Sequence, residues 1–174
     1  MRGQKFLRLL CLFLLGVWLG AALFFSAAAA PNVFSVLRGA GLPNANTLAG
    51  SIITSLLGII NRAGFEISIF LMVMSYFITY GQRLWVRFAG MISLAIMAIM
   101  TGTGQWVIAA RMSALRAAMQ LPIDQVPRDD PRRIAFDGLH RYSVAVLSVA
   151  IIAALVAFVI TASVRSSSVR KDVR

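Results

Sequence analysis

Charge is scarce in this chain. Asp, Glu, Lys and Arg make up 13% of its 174 residues, where a soluble domain carries about a quarter. Acidic residues are scarcer still, six against 17 basic, and with so few charges and five prolines the composition does not suit intrinsic disorder. The single cysteine, Cys11, excludes an intramolecular disulfide and any multi-cysteine metal site. The single histidine, His140, excludes a bis-imidazole haem within one chain, and a zinc site lacks its ligand set. A phosphate-binding glycine loop is missing too, because Thr101-Gly-Thr-Gly104 lies inside an apolar stretch and does not run on into Lys-Ser/Thr. Asp137, His140 and Ser143 stand close in sequence, but without nucleophile-elbow glycines they do not make a serine hydrolase. The expectation is therefore a protein that is no enzyme and carries no cofactor.

Apolar residues, by contrast, make up 59% of the chain, and the mean hydropathy is +0.82. A small domain buries only about two-thirds of its chain surface, so the excess must face lipid. The net charge of +11 does not point to nucleic acid, since the basic residues flank long apolar runs in the manner of membrane edges.

A spanning helix needs about 20 apolar residues. Four stretches qualify, at about 6–30, 65–80, 84–110 and 142–163. In the third, Trp85 and Trp106 stand 21 residues apart, about 32 Å of helix, which puts one indole anchor in each interfacial belt. The first stretch has signal-peptide features, Arg2, Lys5 and Arg8 before an apolar run and then Ser26-Ala-Ala-Ala-Ala-Pro31. It is nevertheless as long as a true span, and Gly16-Val-Trp-Leu-Gly20 offers a GxxxG face for helix packing, so it is expected to stay uncleaved. The eight methionines, mostly in the second and third spans, read as core filler.

Between the first two spans, Leu48, Ile52, Leu56, Ile59 and Ile60 recur at helical spacing opposite a polar face. One helix joining this segment to the second span would be far longer than the hydrocarbon is thick, and would carry Arg62 and Glu66 toward mid-membrane. A separate interfacial helix over about 44–62, bent near Gly64, avoids that cost and is the expectation. A long tilted helix with Arg62 and Glu66 paired is the alternative. The fold class is thus all-α, an integral membrane four-helix bundle with an interfacial amphipathic helix after the first span, all in one domain.

A polar loop is expected over about 120–136, where Pro122, Pro127 and Pro131 interrupt helix. Beyond it, Phe136, His140 and Ser143 share a helix face, and Asp137 precedes Arg141 by four residues, the favourable order for an ion pair. Asp137, His140, Arg141 and Ser143 form the candidate polar site, because membrane-edge ionisable groups mark functional positions; the bland alternative is helix capping and anchoring. Basic residues divide almost evenly between the two sides. The turn Gly81-Gln-Arg83 and the basic stretches at both termini tip both ends toward the cytoplasm of a bacterial inner membrane.

The order Trp18-Leu-Gly20, Phe24-Phe25, Ala30-Pro31, Phe34, Ala49-Gly50 and Phe136-x-x-Leu139-His140-Arg-x-Ser143 resembles a family of small bacterial four-span membrane proteins of unknown function, related to eukaryotic transmembrane protein 205. The family tends to place an Asn shortly after that serine, where this chain has Val146 and Leu147. The resemblance implies a four-span bundle with the first span retained, and no activity. Three functional classes stay open: a structural or binding component of the bilayer with a membrane-protein partner or homo-oligomer, an accessory subunit of a respiratory or photosynthetic complex, and a small transporter or sensor using the site around His140.

Overall fold

In lipid every backbone amide must be satisfied within the protein, and helices achieve this segment by segment. The computed structural model, which describes residues 2–78 and 83–163, contains helices and turns and, among the described residues, no strand. Four long helices dominate: α1 (Gly3–Gly39), α2 (Ala45–Ile78), α3 (Leu84–Met119) and α4 (Pro131–Ser163). At 1.5 Å per residue each is about 50–55 Å long, well beyond the hydrocarbon layer. Each packs on its neighbour in sequence, and α4 closes back on α1 to complete a four-helix ring.

Small residues set how closely the ring draws together. Ala150, Ala153, Ala154 and Ala157 form one face of α4 and meet Cys11, Leu15, Trp18 and Ala22 of α1 and Leu94 and Met97 of α3. Met72, Met74 and Met100 fill gaps at the margin of this core. On the outside, Phe6, Phe13, Ile92, Ile99, Ile152 and Val159 are exposed, the surface expected to meet acyl chains. Three buried hydroxyls are satisfied within their own helices: Ser68 Oγ donates to Phe65 O at 2.8 Å, Ser93 Oγ to Ala89 O at 2.8 Å and Thr101 Oγ1 to Met97 O at 2.8 Å. At the other end of the ring, Arg8 donates to Thr161 O at 3.0 Å and also to Ala162 O, capping the last carbonyls of α4.

The expected bend at Gly64 is absent. Residues 45–78 form one α-helix, and the glycine serves packing: a Cβ there would stand 2.7 Å from Trp18 Nε1 and 2.8 Å from Thr101 Cγ2. Trp18 lies across this point and donates from Nε1 to Ile60 O at 2.9 Å. The cost that argued for a bend is avoided differently. Phe65 makes an edge-to-face contact with Trp106, ring centroids 4.8 Å apart, so Arg62 lies near the level of the residue expected to anchor that end of the span, and the turns before it continue away from the apolar core. Arg62 turns to Gln105, and among the described residues no ion pair joins it to Glu66.

Proline placement brings one more correction and one feature the expectations did not cover. Pro131 does not end a helix but begins α4 at its first position, where the missing N–H costs nothing; Asp130 Oδ1 accepts from the Arg132 amide at 2.8 Å. Pro31 sits inside α1, just after a π-helical turn, Phe25–Ala29, in which the Ala30 amide reaches back to Phe25 O. The wider turn relieves the clash a proline makes with the preceding turn. A second π turn, Thr103–Ile108, interrupts α3. Within the single chain, a Cβ added at Gly16 would lie an ordinary 3.7 Å from Phe158 and one at Gly20 would meet nothing within 4 Å, so the GxxxG glycines make no close approach inside the bundle. Of the turn Gly81-Gln-Arg83, the first two residues lie outside the described residues, as do the C-terminal basic residues used to orient the chain.

Candidate functional site

Because each helix outruns the bilayer, the ring continues past the core, and there it opens. A cavity of about 950 Å³ lies between all four helices at the end carrying the loops 40–44 and 120–130. Each helix contributes one stripe at helical spacing: Pro31, Phe34 and Arg38 from α1; Asn46, Gly50, Ile53, Leu57 and Asn61 from α2; Gln105, Ala109, Met112 and Arg116 from α3; Arg133, Phe136, Asp137, His140 and Ser143 from α4. Ile123, Asp124 and Arg128 close it from the loop.

The mouth is built around Asp124. Its Oδ1 accepts from Asn46 Nδ2 at 2.5 Å, and its Oδ2 from the Thr47 amide at 3.0 Å and Thr47 Oγ1 at 3.1 Å. Thr47 Oγ1 in turn accepts from the Ile123 amide at 3.0 Å, while Arg38 Nε donates to Asn46 Oδ1 at 2.8 Å. A loop carboxylate thus caps the first turn of α2, satisfying an amide that helix geometry leaves open and meeting the positive end of the helix dipole. Partial desolvation pushes the Asp124 carboxyl up, but the bonds from Asn46 and Thr47 outweigh it and hold it below the usual carboxylate value. Gly41, at φ 67°, ends α1 with a left-handed residue and turns the chain toward α2. Nearby, bonds from the Arg132 side chain and amide hold half-buried Asp130 down to about 2.

The floor is neutral and polar. Asn61 is 3% and Ser143 8% exposed; both line the cavity and neither hydrogen-bonds to a described residue. Because no fully buried side-chain donor or acceptor among the described residues lacks a partner, their polar atoms must turn into the open space. Gln105, in the amide orientation that satisfies its neighbours, accepts from Arg62 Nε at 3.1 Å and donates to Gly58 O at 3.3 Å. It sits in the π turn of α3, and π turns recur at functional positions.

Of the candidate residues read from the sequence, Asp137, His140 and Ser143 line the cavity. Arg141 is exposed outside it, and the expected Asp137–Arg141 ion pair does not form among the described residues. Trp85 and Trp106 are exposed. Sequence reasoning missed Asn61, Gln105, Arg116 and Asp124. Asn61 and Gln105 did carry a signal, being polar residues within or beside apolar runs, but only the fold joins them. No group of His, Cys, Asp and Glu among the described residues is arranged to hold a metal.

A family model described as Domain of unknown function (DUF4149) matches residues 13–120. The chain belongs to this family. The DUF4149 segment spans α1 to α3 and ends where α3 gives way to the loop, so it contains Asn61, Gln105 and Arg116 but not His140 or Ser143. Neither a curated protein nor a solved structure matches this DUF4149 chain.

Proposed function

We propose that this is a bacterial inner-membrane protein of the binding or transport class, whose cavity around Asn61, His140 and Ser143 takes up a ligand at the membrane surface. One observation carries the reading: two polar side chains, more than nine-tenths buried and without protein partners, face a space of about 950 Å³ lined by all four helices. That volume suits a small organic molecule, and burying polar groups unpaired is costly unless something meets them. In this reading the role is binding, not catalysis: the lining side chains hold and orient the ligand. Native mass spectrometry of the protein released from bilayer nanodiscs tests it. Wild type is expected to retain a bound small molecule that Ser143→Phe, which fills the floor, loses. An adduct of equal mass and occupancy in both proteins would overturn the reading.

Both termini are placed in the cytoplasm on the weight of basic residues near Arg83 and the chain ends. Labelling of a Ser166→Cys variant from outside intact cells would reverse that orientation. The order of short motifs from Trp18 to Ser143 supports kinship with eukaryotic transmembrane protein 205. An accessory-subunit role predicts co-migration with a larger complex on native gels after mild extraction, and migration as a lone chain removes it.

A further inference from the structure

Polarity changes in three steps along the cavity. From Gln105 to Arg116 the α3 stripe covers 12 residues, a rise of about 16 Å, and the stripes of α2 and α4 run alongside it. At the floor stand the neutral groups of Asn61, Gln105 and Ser143; midway, Phe34, Ile53, Leu57, Met112 and Phe136 supply apolar wall, interrupted by Thr54, Asp137 and His140; at the mouth are Arg38, Arg116, Arg128 and Arg133.

The arginines are not equivalent. Arg38 is engaged by Asn46, and Arg133 donates to Val126 O. Arg116 and Arg128 have no hydrogen bond or ion pair among the described residues. Arg116 is already placed, its guanidinium over the Phe136 ring at 5.4 Å and close above Gly50, where a Cβ would lie 3.3 Å from Nη2. The cation–π contact positions the guanidinium without using its N–H groups, which carry no hydrogen bond among the described residues and can meet an oxyanion. Of the two carboxylates lining the cavity, Asp124 is committed to α2, which leaves Asp137 alone against two uncommitted arginines.

Resting on the reading of this cavity as a binding site, we infer that its ligand is an amphipathic anion: a phosphate or carboxylate head meets Arg116 and Arg128 at the mouth, and an apolar body lies toward Asn61 and Ser143. A head group of this chemistry belongs equally to an anionic lipid and to a soluble amphiphile.

Titration of the full-length protein in a neutral maltoside detergent tests it, with dodecyl phosphate, dodecanol and inorganic phosphate as probes. Dodecyl phosphate is expected to bind once per chain and more tightly than either of the others. Replacing Arg116 and Arg128 together by Gln is expected to weaken it about tenfold or more, as removal of charge-assisted hydrogen bonds does, and Lys at both positions is expected to restore part of the loss. Arg128→Gln alone, in an exposed loop, serves if the double variant fails to fold. Phosphatidylglycerol retained in native mass spectra from mixed phosphatidylglycerol–phosphatidylcholine nanodiscs would support the inference with a lipid as the source. Dodecyl phosphate binding without retained phosphatidylglycerol would support it with a soluble source. Equal affinity for dodecanol, or unchanged affinity in the Gln variants, would overturn the head-group assignment while leaving a binding cavity in place. Failure of every probe in wild type and Ser143→Phe alike, with no retained molecule, would overturn both.

Discussion

Adding one methyl group at Gly64 tests the central packing claim. In Gly64→Ala the new Cβ would meet Trp18 Nε1 at 2.7 Å, Trp18 Cε2 at 2.8 Å and Thr101 Cγ2 at 2.8 Å, where carbon contacts settle at about 3.5–4.0 Å. Something must therefore move by about 1 Å. Neither neighbour is free to do so: Trp18 is 2% exposed and tethered to Ile60 O, and Thr101 is 1% exposed and bonded to Met97 O. Overpacking of a tight core costs about 1–3 kcal/mol, and two rigid neighbours put this site at the upper end. Alanine recovers about 1 kcal/mol through its better helix propensity, leaving a net destabilisation of about 2 kcal/mol. Gly20→Ala is the internal control, because nothing lies within 4 Å of its added methyl; it is expected to be neutral or slightly stabilising. Unfolding of both variants in mixed micelles, followed by tryptophan fluorescence against the mole fraction of a denaturing detergent, measures the difference. A Gly64→Ala protein as stable as wild type would show that α1, α2 and α3 do not meet at this point, and the argument for an unbent α2 would fall with it.

Asp124→Asn removes the carboxylate that caps α2 and is expected to cost about 1 kcal/mol, in the range of lost helix caps, read as a lower midpoint in the same assay. Because the folded protein holds this carboxyl below its usual value, its contribution is complete above the ordinary carboxylate range and is lost as pH falls through the depressed value. The gap between wild type and Asp124→Asn should therefore close on acidification below about pH 4; a gap that widens there would contradict the sign. Arg8→Ala should uncap the last turn of α4, raising hydrogen exchange around residues 159–163 while leaving protection at 147–154 unchanged. Trp18→Phe keeps an aromatic ring but deletes the donor to Ile60 O, and is expected to destabilise by about 1 kcal/mol; no change would mean that the carbonyl finds another partner.

What the sequence disclosed follows from how local each signal is. Four apolar helices are legible because lipid burial imposes a length and a composition on every span separately. The face shared by Phe136, His140 and Ser143 is legible because one helix carries all three. Asn61, Gln105 and Arg116 lie on two helices and converge only when the ring closes, which no periodicity reports. Gly64 and Pro131 were misread for a related reason: a glycine that bends a helix and one that admits an indole look alike in sequence, as do a proline that ends a helix and one that begins it. Asp124 was invisible as a cap because it lies 77 residues from the amide it serves.

The two π turns have a consequence for how such a chain can vary. Each holds one residue more than an α-helical turn would, so everything beyond it is rotated by about 100° relative to a regular helix. Deleting one residue from 25–29 or 103–108 would restore regular geometry and swing Phe34 and Arg38, or Met112 and Arg116, off the cavity, while the faces of Trp18 and Met97 kept their alignment. The turns act as swivels between a fixed membrane-spanning half and an adjustable outer half. Relatives could therefore keep the same bundle and present different side chains to the cavity through a single insertion or deletion, a change that point substitution along an unbroken helix could reach only by many steps.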